Sequence, residues 1–174
     1  LDLYKQGVRA EDVKKITAKV GEFTVKMLCY PIDRKLRPQT HVDAQFSLPY
    51  AIAVAICKNR TGIREFSAEA LHDPDVLALA EKVTWELDPE AEKMYPKAYP
   101  ATLIAELKDG RVLRAHVDYP KGDPENPASD EEIIAKFNSL TEQYFGKTRR
   151  EKIITTVNRL EALSNIAELA DLVR

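Results

Sequence analysis

Residues 102–119 read Thr-Leu-Ile-Ala-Glu-Leu-Lys-Asp-Gly-Arg-Val-Leu-Arg-Ala-His-Val-Asp-Tyr. Leu103, Ala105 and Leu107 fall on one face of an extended chain, and Leu113, Ala115 and Val117 on one face of the next. Side chains alternate across a strand, so each run has one face to bury. Asp109-Gly110 between the runs supplies the backbone freedom a tight turn needs, and the pattern predicts a β-hairpin. Upstream, Ile16, Ala18 and Val20 alternate with Thr17 and Lys19, which is strand period again. After Gly21 the apolar residues are Phe23, Val25 and Met27, of opposite parity. The reading is extended chain over 13–28, with a bulge at Gly21-Glu22 that restores one inward face. Residues 83–87 give a further candidate strand.

The segment 46–57, Phe-Ser-Leu-Pro-Tyr-Ala-Ile-Ala-Val-Ala-Ile-Cys, is apolar almost all round. Its length and alanines predict a buried helix. Ser47 is the expected N-cap, Pro49 sits in the first turn, and the helix stops near Asn59 or Gly62. Residues 64–71 read as a short helix. Asp73-Pro74 caps and opens another that ends near Lys82. Residues 1–6 read as the last turn of a helix closed at Gly7. Residues 30–42, with Pro31 and Pro38, and the Pro-rich 120–128 read as loops. All ten prolines lie between Pro31 and Pro127, which predicts a turn-rich middle and a regular tail. Ser129-x-x-Glu132 is a capping box, followed by Ile133, Ile134, Phe137, Leu140 and Tyr144 at helical spacing. Gly146 is placed as a helix stop, Thr148-x-x-Glu151 reads as a second box and Asn165-x-x-Glu168 as a third. The sum is an α+β fold: an antiparallel sheet with helices packed on one face, a two-layer domain, then a C-terminal helical segment. The apolar stripes of the last two helices exceed what a small sheet can cover, so they are expected to pack against something else.

The chain of 174 residues sets 26 Lys+Arg against 28 Asp+Glu, a net charge of −2. That balance disfavours a nucleic-acid partner. Two cysteines cannot build a disulfide framework or a Cys-rich metal site. No run approaches the ~18 apolar residues of a membrane span, so no membrane partner is expected. The first residues, Leu1-Asp2-Leu3-Tyr4-Lys5-Gln6, carry no apolar signal region, and a cytoplasmic location is the expectation.

No complete catalytic constellation is present. His41, His72 and His116 lack metal-ligand spacing, and there is no Walker loop, Rossmann fingerprint or nucleophile elbow. Cys29 and Cys57 read as buried small hydrophobes. His41 lies in the loop before the buried helix, close to Asp43, and is a candidate substrate contact because histidine titrates near neutrality. His116 alternates onto the polar face of the hairpin with Arg114 and Asp118. In Tyr119-Pro120-Lys121-Gly122-Asp123-Pro124, Lys121 offers charge and Gly122 lets a backbone approach closely, which suits anion recognition.

Several segments together resemble the C-terminal part of the MmgE/PrpD family of 2-methylcitrate dehydratases, aconitate decarboxylases and iminodisuccinate epimerases. They are Asp43-Ala44-Gln45-Phe46-Ser47-Leu48-Pro49-Tyr50-Ala51, Asp73-Pro74-Asp75-Val76, Leu79-Ala80-Glu81-Lys82-Val83, Leu107-Lys108-Asp109-Gly110-Arg111 and 117–127, with Lys136-Phe137 following. The resemblance implies a large helical domain and a smaller α/β lid with the active site in the cleft between them. Residues 1–7 would end a helix of the helical domain, 8–146 would be the lid, and 147–174 would return to the helical domain. The chain would then be a piece of a larger enzyme, lacking the upstream helical domain that carries most catalytic groups. No catalytic residue and no cofactor is therefore assigned to it.

The family's dehydratases and decarboxylases carry a histidine at the position that matches Phe46, and phenylalanine cannot move a proton. That disfavours dehydration and decarboxylation and leaves open another reaction, such as epimerisation, on a small di- or tricarboxylate. Gln45, Phe46, Ser47 and Tyr50 at the start of the buried helix, with His41, Lys121 and Gly122, are the expected substrate-binding set. Hydrogen bonds at a helix N-terminus suit an anion. The alternative is a stand-alone, non-catalytic α+β module that binds a small ligand or oligomerises. Unpartnered apolar helices also predict a homodimer.

Overall fold

The computed structural model describes residues 1–174, which divide into two compact units, Leu1–Asn126 and Pro127–Arg174. The first is built on a four-stranded sheet of order β2-β1-β3-β4, from β1 (Val13–Val20), β2 (Val83–Leu87), β3 (Ala101–Leu107) and β4 (Val112–Val117). The hairpin β3–β4 forms as its pattern predicts, antiparallel, with Leu103 opposite Ala115 and Ala105 opposite Leu113. Gly110 takes a φ of +91° in its turn, where a β-carbon is disfavoured. The Asp109 carboxylate accepts from the Arg111 amide at 3.0 Å and locks the reversal.

The sheet is mixed. β1 pairs antiparallel with β3 but parallel with β2, Ile16 opposite Val83 and Ala18 opposite Trp85. A parallel pair needs a long crossover, and here the whole stretch between β1 and β2 supplies it. Ile16 and Ala18 are fully buried and join one core with Leu71, Val76, Leu79, Ala105 and Leu107. Thr17, Lys19, Thr84, Glu86, Thr102, Arg114 and His116 take the other parity. Lys19 meets Glu86 at 3.7 Å there.

Across the apolar face lies α5 (Leu48–Lys58). Tyr50, Ile52, Ala53, Val54 and Ile56 are all buried, as a helix apolar all round requires. Ser47 caps it, Pro49 sits in the first turn, and Asn59 ends it with a φ of +54°. α1 (Asp2–Lys5) stops before Gly7, φ +93°. α6 (Pro74–Ala80) is capped by Asp73, whose carboxylate accepts from the amides of Asp75 at 3.0 Å and Val76 at 3.3 Å.

Asp73 also meets the Lys58 ammonium at 2.5 Å. That contact holds its carboxyl below the ordinary value of 3.8, against a smaller opposing effect of burial. A depressed folded-state value adds stability above the ordinary value and loses it as pH falls through the folded one. Asp73→Ala is expected to lose about 1–2 kcal/mol at neutral pH by denaturant unfolding. Asp73→Asn, which keeps the acceptor without the charge, should lose less at neutral pH and show a shallower acid limb below pH 3.8. Equal acid limbs would show that this pair contributes nothing.

Three segments differ from their sequence reading. Residues past Gly21 are helix, α2 (Glu22–Leu28), not strand. Phe23 and Met27 stand i and i+4 on an exposed helical side, Val25 alone is buried, and Glu22 pairs with Lys26 at 3.0 Å. The stretch 30–42 read as a loop holds α3 (Ile32–Leu36) and the start of α4 (His41–Gln45), the latter opened by Thr40, whose side chain accepts from the Asp43 amide. His41 is thus the first residue of a helix. The 64–71 helix is two 3₁₀ turns, Ile63–Phe66 and Ala70–His72, the first closed by Glu65 on the Gly62 amide at 2.8 Å. A further helix, α7 (Pro89–Met94), follows β2 and is capped by Asp88.

The second unit is helical. α8 (Asp130–Thr141) opens with the predicted reciprocal box, the Glu132 amide to Ser129 Oγ at 3.3 Å and the Ser129 amide to Glu132 Oε2 at 2.8 Å. α9 (Lys147–Val157) begins at Gly146 instead of ending an earlier helix there. With φ at −61° Gly146 is extended, not left-handed, and Thr148 lies inside the helix, so no second box forms. α10 (Ala167–Val173) starts after Asn165, whose side chain accepts from the Ala167 amide at 2.9 Å, while Glu168 reaches Arg159 at 3.2 Å instead of closing a box. Arg149 donates to the carbonyls of Leu172 and Arg174, both at 2.6 Å, placing a cation at the end of α10. No helix of the chain is long and apolar enough to cross a membrane.

Candidate functional site

The corner between α4 and α5 carries most of the sequence-predicted site residues. His41, Gln45 and Phe46 are exposed on α4 and its end, Phe46 at 45%. Asp43, on the same helix, lies 4.0 Å from Arg34 of α3. A short helix with its own cap thus presents an imidazole, an amide and a phenyl ring to solvent.

Ser47 and Tyr50 do not join them. Ser47 is 1% exposed, donates to the Lys35 carbonyl at 2.5 Å and accepts from the Tyr50 amide at 3.1 Å. Tyr50 is fully buried, and its hydroxyl donates to the carbonyl of Ala70 at 3.0 Å, with Glu65 O at 3.4 Å. Burial first, then the charge of Asp73, raises the Tyr50 phenol above its usual range. Both hydroxyls are taken up within the fold itself, and neither faces solvent. The serine is a helix cap, and the tyrosine anchors two 3₁₀ turns from below.

Lys121 and Gly122 occupy a separate, exposed loop after β4. Gly122 takes a φ of +105°. Its amide donates to Asn126 O at 2.8 Å, and the Asn126 side chain donates to Tyr119 O at 2.8 Å. The glycine therefore serves the turn, and its N–H is not offered to a ligand. The cation of this loop is Lys121.

The remaining titratable groups are placed by geometry. His116 lies on the polar sheet face with Nδ1 2.7 Å from Thr102 Oγ1 and Nε2 3.0 Å from Asp118 Oδ1. Burial pushes the thiols of Cys29 and Cys57 up to about 11, which leaves neither a thiolate near neutrality. No group of His, Cys, Asp and Glu is arranged to hold a metal ion.

One residue of the corner carries no signal in sequence. Lys35, inside the charged run Asp33-Arg34-Lys35-Leu36-Arg37, is 7% exposed. Its ammonium donates to Met27 O at 3.1 Å and to Phe46 O.

Fold and corner together define a two-layer α+β domain whose exposed polar corner precedes a buried helix. The chain belongs to the MmgE/PrpD family, whose C-terminal domain matches residues 1–162. Its relatives include a mitochondrial 2-methylcitrate dehydratase of Yarrowia lipolytica, 26% identical over 98% of this chain and 33% of the relative. The 2-methylcitrate dehydratase of Salmonella typhimurium is 25% identical over 88% of this chain and 33% of its own length. The cis-aconitate decarboxylase of Mus musculus is 25% identical over 79% of this chain and 28% of its own length. The chain thus spans about a third or less of the curated relatives it matches.

Proposed function

We propose that the chain is the lid-bearing portion of an enzyme acting on a small di- or tricarboxylate. In this reading 8–146 form the lid, and 1–7 and 147–174 belong to a helical domain. The observation that carries it is the exposed His41–Gln45–Phe46 corner in a chain that matches the family's C-terminal domain over 1–162. The names of two relatives, a cis-aconitate decarboxylase and a 2-methylcitrate dehydratase, support a small polycarboxylate as the ligand class.

Within the lid, Gln45 and His41 supply hydrogen-bonding groups and Lys121 supplies charge. Phe46 places an apolar ring beside them, which excludes water but transfers no proton. Proton transfer at this position then falls to other residues, and a reaction such as epimerisation by abstraction of an α-proton stays open beside dehydration and decarboxylation, which Phe46 disfavours. A lid of this kind binds and sequesters and leaves the chemistry to its partner domain.

The chain by itself is expected to consume neither cis-aconitate nor 2-methylcitrate, yet to be stabilised by citrate. Binding to the folded state alone adds roughly 2.7 kcal/mol at a concentration 100 times the dissociation constant. The test is a thermal-unfolding titration with citrate against sulfate at equal ionic strength, alongside a turnover assay. Turnover by the isolated chain would overturn the assignment of chemistry elsewhere. No citrate-specific shift would count against binding by this surface.

A further inference from the structure

Lys35 is a buried cation for which no carboxylate partner is seen within the fold. A methionine or leucine would fill the same volume without the cost of desolvating an ammonium, so what the lysine adds is its grip on two carbonyls. Both carbonyls come from helix ends. Met27 O belongs to the last turn of α2, and Phe46 is the C-cap of α4. Such groups have no partner within their own helix and carry the negative end of its dipole. The countercharge for Lys35 is therefore a pair of converging helix C-termini.

The backbone of Lys35 is tied to the same corner. Its carbonyl accepts from Ser47 Oγ at 2.5 Å, and its amide donates to Pro31 O at 3.3 Å. Phe46 is consequently held on both sides of its α-carbon, its amide to Val42 O at 3.0 Å and its carbonyl to Lys35. Its ring is left to project into solvent. Cys29, fully buried at the end of α2, feels the same ammonium, which works against the upward push of burial on its thiol.

We propose that Lys35 is the positioning residue of the lid corner: it clamps the Phe46 carbonyl and so fixes the direction in which Gln45 and Phe46 meet a small polycarboxylate. The inference rests on the lid reading above. A preorganised corner binds more tightly because less ordering remains to be done on binding.

The test compares the wild-type chain with Lys35→Met and Lys35→Arg. In wild type, a nitrogen–proton spectrum of lysine ammonium groups should show one exchange-protected signal with a hydrogen-bond coupling to the Phe46 carbonyl carbon. In Lys35→Met, amides of residues 41–50 should exchange about tenfold faster while those of β1 and β3 hold. Citrate affinity should fall about fivefold, and Lys35→Arg should recover most of both losses. Absence of the protected ammonium, unchanged exchange at the corner, or equal loosening of corner and sheet would overturn the clamp. A looser corner with unchanged citrate affinity would overturn the positioning role and leave the lid reading standing. A wild-type chain without citrate affinity would remove the lid reading and the positioning role with it, while exchange still judges the clamp. If Lys35→Met does not fold, the wild-type spectrum and Lys35→Arg decide.

Discussion

Tyr50→Ala is expected to destabilise the first unit by about 3–5 kcal/mol, the range for losing a large aromatic side chain from a core. Tyr50 is among the largest fully buried side chains, and its ring lies 5.9 Å from that of Phe66. Tyr50→Phe separates the ring from the hydroxyl. It leaves the Ala70 and Glu65 carbonyls without their shared donor, which costs about 1–2 kcal/mol. The chain's one tryptophan, Trp85 on β2, reports the transition by fluorescence in urea. The same pair of variants decides between two roles. A substrate-contacting tyrosine would lose ligand affinity as Phe with little loss of stability. A structural one loses stability, with citrate affinity unchanged in the folded fraction.

The difference between what the sequence discloses and what it conceals follows the range of each interaction. The β3–β4 hairpin and the box at Ser129 are legible because every determinant lies within a few residues. α5 is legible because no strand of that length is apolar on all sides. The pairing of β1 with β2 is parallel across 62 intervening residues, and alternation specifies a strand's face but not its neighbour's direction. Phe23, Val25 and Met27 deceive because i, i+2, i+4 spacing serves a strand face and, through i and i+4, a helix face equally. Capping gives α4 away only to a reader who sets Thr40 above the prolines on either side.

The candidate site follows the same rule. The apolar Phe46 reads as part of the next helix and stands exposed before it. That Ser47 caps that helix can be read locally. That Ser47 and Tyr50 have no hydroxyl to spare cannot, because their partners at Lys35, Glu65 and Ala70 are 12, 15 and 20 residues away. Lys35 is hidden for the same reason. Nothing in Asp33-Arg34-Lys35-Leu36-Arg37 says which charge turns inward to meet two helix ends.

Ser47→Ala is the second large effect, with an expected loss of about 2–4 kcal/mol, the sum of a cap and an orphaned carbonyl. The serine hydroxyl, on a residue 1% exposed, accepts from the Tyr50 amide and donates to the Lys35 carbonyl, so one substitution leaves that amide and that carbonyl without this partner. Ser47→Gly divides the two. Glycine at an N-cap costs only about a few tenths of a kcal/mol relative to serine, and the backbone at 47, φ −119°, suits any residue. The glycine variant therefore keeps most of the cap contribution and loses the bond to Lys35. Its stability should fall between those of wild type and alanine, closer to alanine if the carbonyl dominates. Denaturant midpoints give the ordering, and exchange at residues 41–50 shows where the loss is felt. If alanine and glycine both stay within about 0.5 kcal/mol of wild type, the hydroxyl is not closing the fold, and Ser47 returns to the set of residues available to a ligand.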